Sequence, residues 1–380
     1  MISYFDILYG QYEISGGNSE MNKVMKWSAC AVVAGILVTG VGYTEQATVS
    51  AAVNVKNTIP QPSVILKWKG TTLSQKGLIM NGSTLIPVTV LRDQLGLPLS
   101  YNPGTRTYSV GSGYRQLNMD VSEYGVNTNV NNFYVNDFEV KNIGGRLYVP
   151  FRLISDYLGF QGVWNSELKT LSFTPREENK LVMNTGLKET NTKDALFIIR
   201  NPTISGLADA KVEKAINTVL DNLMNQFVKD SKEQAAKRDS AVEHTYQFFQ
   251  NYFVSYNENG VLSLVIDQYN YTGGAHGSNI RTGLTFSLKN GKLLSLDDVL
   301  KEKSPDYTDK LDKLVLKGLQ EIDGYFDEFK GLPVDASYYV KPEGLALFFQ
   351  QYEYTAYAAG IPTFVIPYSK LLPKGTTLFE

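Results

Sequence analysis

The sequence predicts an α+β protein built as two domains, and three observations carry that reading. A block beginning at Gly82 recurs without a gap at Gly145, a constant offset of 63 residues (145 less 82). Two amphipathic helical patterns stand among alternating strand patterns in the second half. At 380 residues, with 43% hydrophobic and 19% charged, the chain exceeds one ordinary core and lies far from disordered compositions. The 24 tyrosines suit strands and contact surfaces alike, because the ring packs while its hydroxyl stays wet.

The first residues read as a targeting segment. Lys23 and Lys26 precede the apolar run WSACAVVAGILVTGVGY, and the small residues TVSAA follow. That order predicts a signal peptide over 21–51, cleaved after Val49-Ser50-Ala51, with an uncleaved membrane anchor as the competing expectation. Residues 1–20 are expected to be an upstream extension, with Met21 as the true start. Residues 1–51 hold Lys23 and Lys26 against Asp6, Glu13, Glu20 and Glu45. The rest therefore carries 34 basic residues (36 less 2) and 34 acidic ones (38 less 4). A neutral chain has no long-range field for nucleic acid or anionic lipid, so neither is an expected partner, and membrane association rests on the uncleaved anchor. The single cysteine, Cys30, leaves with the signal, and neither disulfide nor thiol chemistry is expected afterwards.

Each copy of the repeat reads as strand, short helix, strand. Asn81-Gly82 suits a tight hairpin turn, since both residues tolerate positive φ. Pro87 and Pro150 suit the first helical turn, where a missing N–H costs nothing. Val88, Leu91 and Leu95 share one helical face, as do Phe151, Ile154 and Leu158. Gly96 and Gly159 stop the helices, and Tyr101 and Trp164 are expected to be core aromatics at matching strand positions. The segment between the copies is expected to add strands and turns. This pattern of (L/Y)(I/V)P, a helix ending Leu-Gly, then aromatic-Asn and Thr-x-Ser, resembles the copper amine oxidase N-terminal-like or stalk domain, over 62–174. The resemblance implies a surface module of Gram-positive-type bacteria. It does not imply oxidase chemistry, because that site needs three histidines and this chain has His244 and His276 alone.

Pro175 to Lys180 reads as a charged linker, and Ala195 onward as an apolar strand broken at Asn201-Pro202. Val212, Ile216, Val219, Leu223 and Phe227 then mark a long amphipathic helix. Strands are expected on both sides of Asn259-Gly260 and again around Asn290-Gly291. Ser295 with Asp298 forms an N-cap pair, and Leu311, Leu314, Val315 and Leu319 mark a second helix. The chain closes as strand, small-residue turn, strand. NPTISGL, YNYTGGAHG, LLSLDDVL and YEYTAYAAGIPTFVIPYSKL resemble the extracellular domain of the RsiV anti-sigma factor, which also accompanies the deacetylase PdaC. The resemblance covers 195–372 and implies an antiparallel sheet with packed helices, and a lysozyme-like protein as partner.

YNYTGGAHG is the most unusual stretch. His276 has no G-x-S-x-G nucleophile to serve and no sequence cluster of metal ligands, so a compact glycine connection is its simplest reading. Beside it, Tyr269 and Tyr271 point to one strand face, as Tyr352 and Tyr354 would in a later strand, with Tyr357 in the turn beyond. Tyr269, Tyr271, Thr272, Gly273, Gly274, His276, Tyr352, Tyr354 and Tyr357 are therefore the candidate binding surface, for a lysozyme-like protein or cell-wall glycan. No cofactor or metal is expected, and the expectation is an exported, non-catalytic protein of the cell wall or extracellular space. The alternatives are a wall-polymer hydrolase using Asp267 and Glu353 as acid and base, or a purely structural wall component.

Overall fold

Strand β1 (Ser63–Trp68) is followed by the short β2 (Thr71–Thr72), then by the hairpin of β3 (Gly77–Met80) and β4 (Ser83–Pro87). Its turn is the expected one, with φ of 50° at Asn81 and 74° at Gly82. Helix α1 (Val88–Asp93) starts at once, but Pro87 is its N-cap (φ −57°, ψ 135°) and not part of its first turn. Pro150 caps the second copy in the same way. The computed structural model describes residues 62–379 apart from 136, 240, 241 and 243; the upstream extension and the signal segment lie outside them.

After Gly96, at φ 71°, the expected single strand is a hairpin, β5 (Leu99–Asn102) and β6 (Thr107–Val110). The segment between copies supplies β7 (Leu117–Ser122), β8 (Gly125–Val130), β9 (Phe133–Tyr134) and β10 (Lys141–Ile143). Copy two then gives β11 (Arg146–Pro150), α2 (Phe151–Tyr157), β12 (Phe160–Asn165) and β13 (Thr170–Pro175). Strands β4 and β11 pair antiparallel with Ile86 opposite Val149, the same position of the repeat. The two copies therefore meet about a local twofold. One sheet runs β10-β11-β4-β3-β1-β13-β12, with β2 on β1, and a second runs β5 to β9 in order.

The pair expected in the core is not there. Tyr101 is 49% exposed and Trp164 41% exposed. Both lie on strands that end their sheets and have one neighbour each, and the apolar layer closes behind them, at Phe160 in copy two.

The expected linker is pinned down. Arg176 pairs with Glu258 at 3.4 Å, Glu178 pairs with Arg115, and Asn179 Nδ2 donates to Asn257 and to the carbonyl of Val261. Next comes β14 (Val182–Asn191), a strand with almost no buried residue and hence no alternation to betray it. Strand β15 (Ala195–Ser205) runs straight through Asn201-Pro202. Its pairing to β16 (Tyr246–Glu258) ends at Ile199, before the proline, and β14 supports it on the other side. Helix α3 (Ala210–Ala236) makes the crossover between these parallel strands, and Asn217 brackets both backbone groups of Ile204 at 2.8 Å. Strands β17 (Val261–Tyr271) and β18 (Ser278–Ser287) complete the order β14-β15-β16-β17-β18. The expected antiparallel sheet thus contains one parallel pair.

Around Asn290-Gly291 the expected second strand shrinks to a single bridge, Phe286 to Leu293. Helix α4 (Leu296–Leu300) carries the Ser295–Asp298 capping box. Helix α5 (Tyr307–Gln320) buries Leu311, Val315 and Leu319, and its Gly318 makes room for the Phe364 ring. Strands β19 (Tyr338–Lys341), β20 (Gly344–Phe348) and β21 (Thr363–Pro367) form a small antiparallel sheet, closed by α6 (Tyr368–Leu371). Gly283 of β18 lies so close to β19 that a Cβ would stand 2.0 Å from the Tyr338 oxygen. No helix among the described residues is long and apolar enough to cross a membrane.

The N-terminal strand-rich domain and the C-terminal sheet domain share one core. Phe253, Val265, Tyr339, Ala346 and Phe348 belong to the same buried cluster as Val64, Ile86, Val149 and Ile154. Phe253 meets Phe133 at 4.6 Å and Tyr157 at 5.0 Å. A buried ion pair crosses the join, from Lys341 on β19 to Asp156 on α2 at 2.5 Å. Burial acts to lower the Lys341 ammonium, but the Asp156 carboxylate outweighs it and holds the group above its ordinary value.

Candidate functional site

The glycine-rich connection between β17 and β18 is shaped by what lies beneath it. Tyr269 stacks on Phe249 at 5.9 Å, and a Cβ on Gly277 would fall 2.3 Å from the Tyr269 hydroxyl oxygen. Glycine at 277 is thus what lets the loop close over that ring. Gly273 and Gly274, at φ 96° and 92°, make the reversal, and the Tyr271 hydroxyl donates to the Gly274 carbonyl at 3.1 Å. Thr272 lies half-buried within the same turn, and His276 is left exposed above it.

The second half of the site arrives from the segment after β20. Here Gln350 imitates a strand. Its amide accepts from the Arg281 N–H at 3.0 Å and donates to the Arg281 carbonyl at 2.8 Å. Gln351 accepts from the Asn279 N–H at 2.9 Å. Two side chains thus occupy backbone groups of the β18 edge and fasten the following turn beside the glycine loop.

That turn brings three rings together. His276 stacks on Tyr357 with centroids 3.7 Å apart and 19° between planes. Tyr352 lies 5.6 Å from Tyr357, and its hydroxyl comes within 3.4 Å of His276 Nε2. The Tyr357 hydroxyl donates to the Gly277 carbonyl at 2.9 Å, tying the turn to the loop. Tyr352 is 56% exposed.

The candidate surface therefore divides. His276, Tyr352 and Tyr357 converge. Tyr269 is the floor, and Tyr271 braces the loop. Tyr354 turns inward, onto Phe349 at 4.8 Å and Phe329 at 5.4 Å. The expected strand carrying Tyr352 and Tyr354 is instead a turn, with Tyr352 at φ 68°, because β20 ends at Phe348. The pinning glutamines were missed by sequence reasoning, since a glutamine that imitates backbone leaves no mark in periodicity.

Asp267 is engaged elsewhere. Both its oxygens accept from Arg281, each at 2.8 Å, and Asn279 donates to one at 3.1 Å. Burial acts against the Arg281 charge, yet Asp267 lifts the guanidinium well above its ordinary value. Arg281 also lies over the Phe133 ring at 5.2 Å, so this pair joins the two domains. Glu353 accepts from the Gln350 N–H at 2.8 Å, a turn-stabilising bond. The two carboxylates considered as acid and base thus have structural partners. No group of three histidine, cysteine, aspartate or glutamate side chains among the described residues is placed to hold a metal.

The comparisons with known proteins follow the same division. Residues 65–173 match the family described as copper amine oxidase N-terminal domain. Residues 189–279 match deacetylase PdaC, and 297–369 match a protein family of unknown function, DUF3298. Both expected resemblances, to the stalk-type domain and to a PdaC-type domain of unknown function, are borne out. Peptidoglycan-N-acetylmuramic acid deacetylase PdaC of Bacillus subtilis is 26% identical over 114 residues, 29% of this chain and 23% of that enzyme. The chain thus spans about a quarter of the length of that curated relative. A solved DUF3298 member from Bacteroides fragilis shows 19% identity and a TM-score of 0.41, covering 52% of this chain and 96% of that one. One from Pseudomonas aeruginosa shows 15% and 0.37, covering 53% and 98%.

Proposed function

We propose that this is an exported, wall-associated binding protein that performs no catalysis and holds a protein partner on the surface of His276, Tyr352 and Tyr357. The observation that carries the reading is the mutual stacking of these rings, from segments 76 residues apart, at an exposed position. Rings that fix one another meet a partner with little conformational entropy left to lose, as binding surfaces rich in tyrosine do. The engagement of Asp267 by Arg281 supports binding over acid–base chemistry at this place. The matches to a peptidoglycan deacetylase domain and to a stalk-type domain support a location at the wall. A lysozyme-like muramidase is the first partner to test, with wall glycan the second.

The test is retention of the processed protein by immobilised lysozyme and, separately, by insoluble peptidoglycan. Binding to lysozyme should weaken about ten-fold or more in Tyr352→Ala and in His276→Ala. Retention on neither matrix, or lysozyme binding indifferent to both substitutions, would overturn the reading.

A further inference from the structure

A second exposed aromatic residue lines a cleft where the N-terminal domain meets the β19–β20 turn. A cleft of about 570 Å³ opens between β12, α2, the β3–β4 hairpin and the β19–β20 turn. Its volume falls within the roughly 300–1,000 Å³ of small-molecule sites. Trp164 forms one wall and Phe151 another, with Gln161, Arg152, Thr84 and Glu343 around them.

The local sequence explains the shape. Phe160, Gly162 and Trp164 lie on the same face of β12, since side chains alternate along a strand. A Cβ on Gly162 would stand 2.4 Å from Phe151 Cζ, so the Phe151 ring occupies the place a side chain at 162 would take. The apolar face of β12 therefore runs from buried Phe160, through Phe151, to half-exposed Trp164. No ring contact to Trp164 is present among the described residues. The Arg152 guanidinium is exposed, and close enough to Glu343 to act on its carboxyl.

Copy one of the repeat lacks this arrangement. Subtracting 63 from Gly162, Phe151 and Arg152 gives Leu99, Val88 and Thr89. Tyr101, which matches Trp164, has its ring against Tyr108 at 4.4 Å. The features that make the cleft were thus placed in one copy of an otherwise shared framework.

An indole in one cleft with the Thr84 hydroxyl and the Arg152 guanidinium matches the chemistry of a sugar ring, which is apolar on its C–H face and polar at its rim. Arg176 is engaged by Glu258 and by the Ser155 hydroxyl, which leaves the exposed Arg152 as the cleft guanidinium that can receive a ligand carboxylate. We infer that this cleft binds a carboxylate-bearing saccharide, stacking a sugar ring on Trp164 and directing the carboxylate to Arg152. This site is separate from the His276 surface and does not depend on it.

Calorimetric titration of the processed protein distinguishes the outcomes, using an N-acetylglucosaminyl–N-acetylmuramic acid disaccharide, the neutral chitin disaccharide and a short acidic peptide as probes. The acidic disaccharide should bind and shift the tryptophan emission. Trp164→Ala should weaken it about ten-fold or more, and Arg152→Gln should erase the preference over the neutral sugar. Tyr352→Ala, which tests the protein-binding surface, should leave this titration unchanged. Trp164 and Arg152 are surface positions, so neither substitution threatens folding, and circular dichroism checks that. Binding of the peptide alone, binding of no saccharide, or saccharide binding indifferent to Trp164→Ala would each overturn the proposal.

Discussion

The His276 surface and the Trp164 cleft are both aromatic and both reach solvent, yet they are built in opposite ways. In the first, His276 and Tyr357 stack at 3.7 Å and Tyr352 closes on Tyr357 at 5.6 Å, so the rings are largely engaged with each other. In the second, Trp164 stands 41% exposed at the end of an edge strand. One is a finished, rigid surface that a large partner can cover. The other is an open wall that a small ring can complete. Aromatic residues at a surface thus say little until their partners are known.

The comparison assumes that the two places belong to one rigid unit, and the most damaging test attacks that assumption. Lys341→Ala should cost about 3–5 kcal/mol in urea unfolding, because it strands the buried Asp156 carboxylate in the shared core. The double replacement Lys341→Met with Asp156→Leu should recover most of that loss. Two separate unfolding transitions in the single variant would show the domains to be independent, and would break the comparison.

The next effects sharpen it. Tyr357→Ala should lose about 1–2 kcal/mol, since it removes both a ring stack and the bond to Gly277. Trp164→Ala should lose less than about 1 kcal/mol, as an exposed ring has little packing to forfeit. Equal losses at the two positions would mean that the rings are equally engaged, and the contrast would fail.

The smallest effect concerns pH at the cleft. Burial of its carboxyl, and then the Asp156 charge, raise Glu343 above the ordinary glutamate range. A carboxyl held higher in the folded state binds its proton more tightly there, so this contribution favours folding in acid. It is lost as pH climbs from the unfolded glutamate value through the raised one. Glu343→Gln should flatten that decline in a series of melts across acidic pH. An identical slope in the variant would show that Glu343 is not held high.

Much of the repeat was legible because its determinants are local. Asn81-Gly82 adopts its turn, Gly96 and Gly159 end their helices, and Ser295 with Asp298 caps α4, each through backbone geometry within a few residues. The long helix from Ala210 likewise announces itself by its apolar spacing. The exposed edge strand Val182–Asn191 gave no such signal, because a strand lacking a buried face has no period to read. Tyr101 and Trp164 were misplaced for a related reason, since a strand pattern shows which face a residue takes but not where the core stops.

The repeat, its turns and caps, the amphipathic helices and the association of the glycine loop with tyrosines could all be read from the chain alone. Tertiary contacts were needed to establish that both domains share a core, that Tyr352 and Tyr357 meet His276 while Tyr354 turns inward, and that Gly162 makes room for the Phe151 ring. The physical reason is range. Turns and caps depend on neighbours along the chain, whereas ring stacks, ion pairs and clefts depend on segments brought together from dozens of residues away.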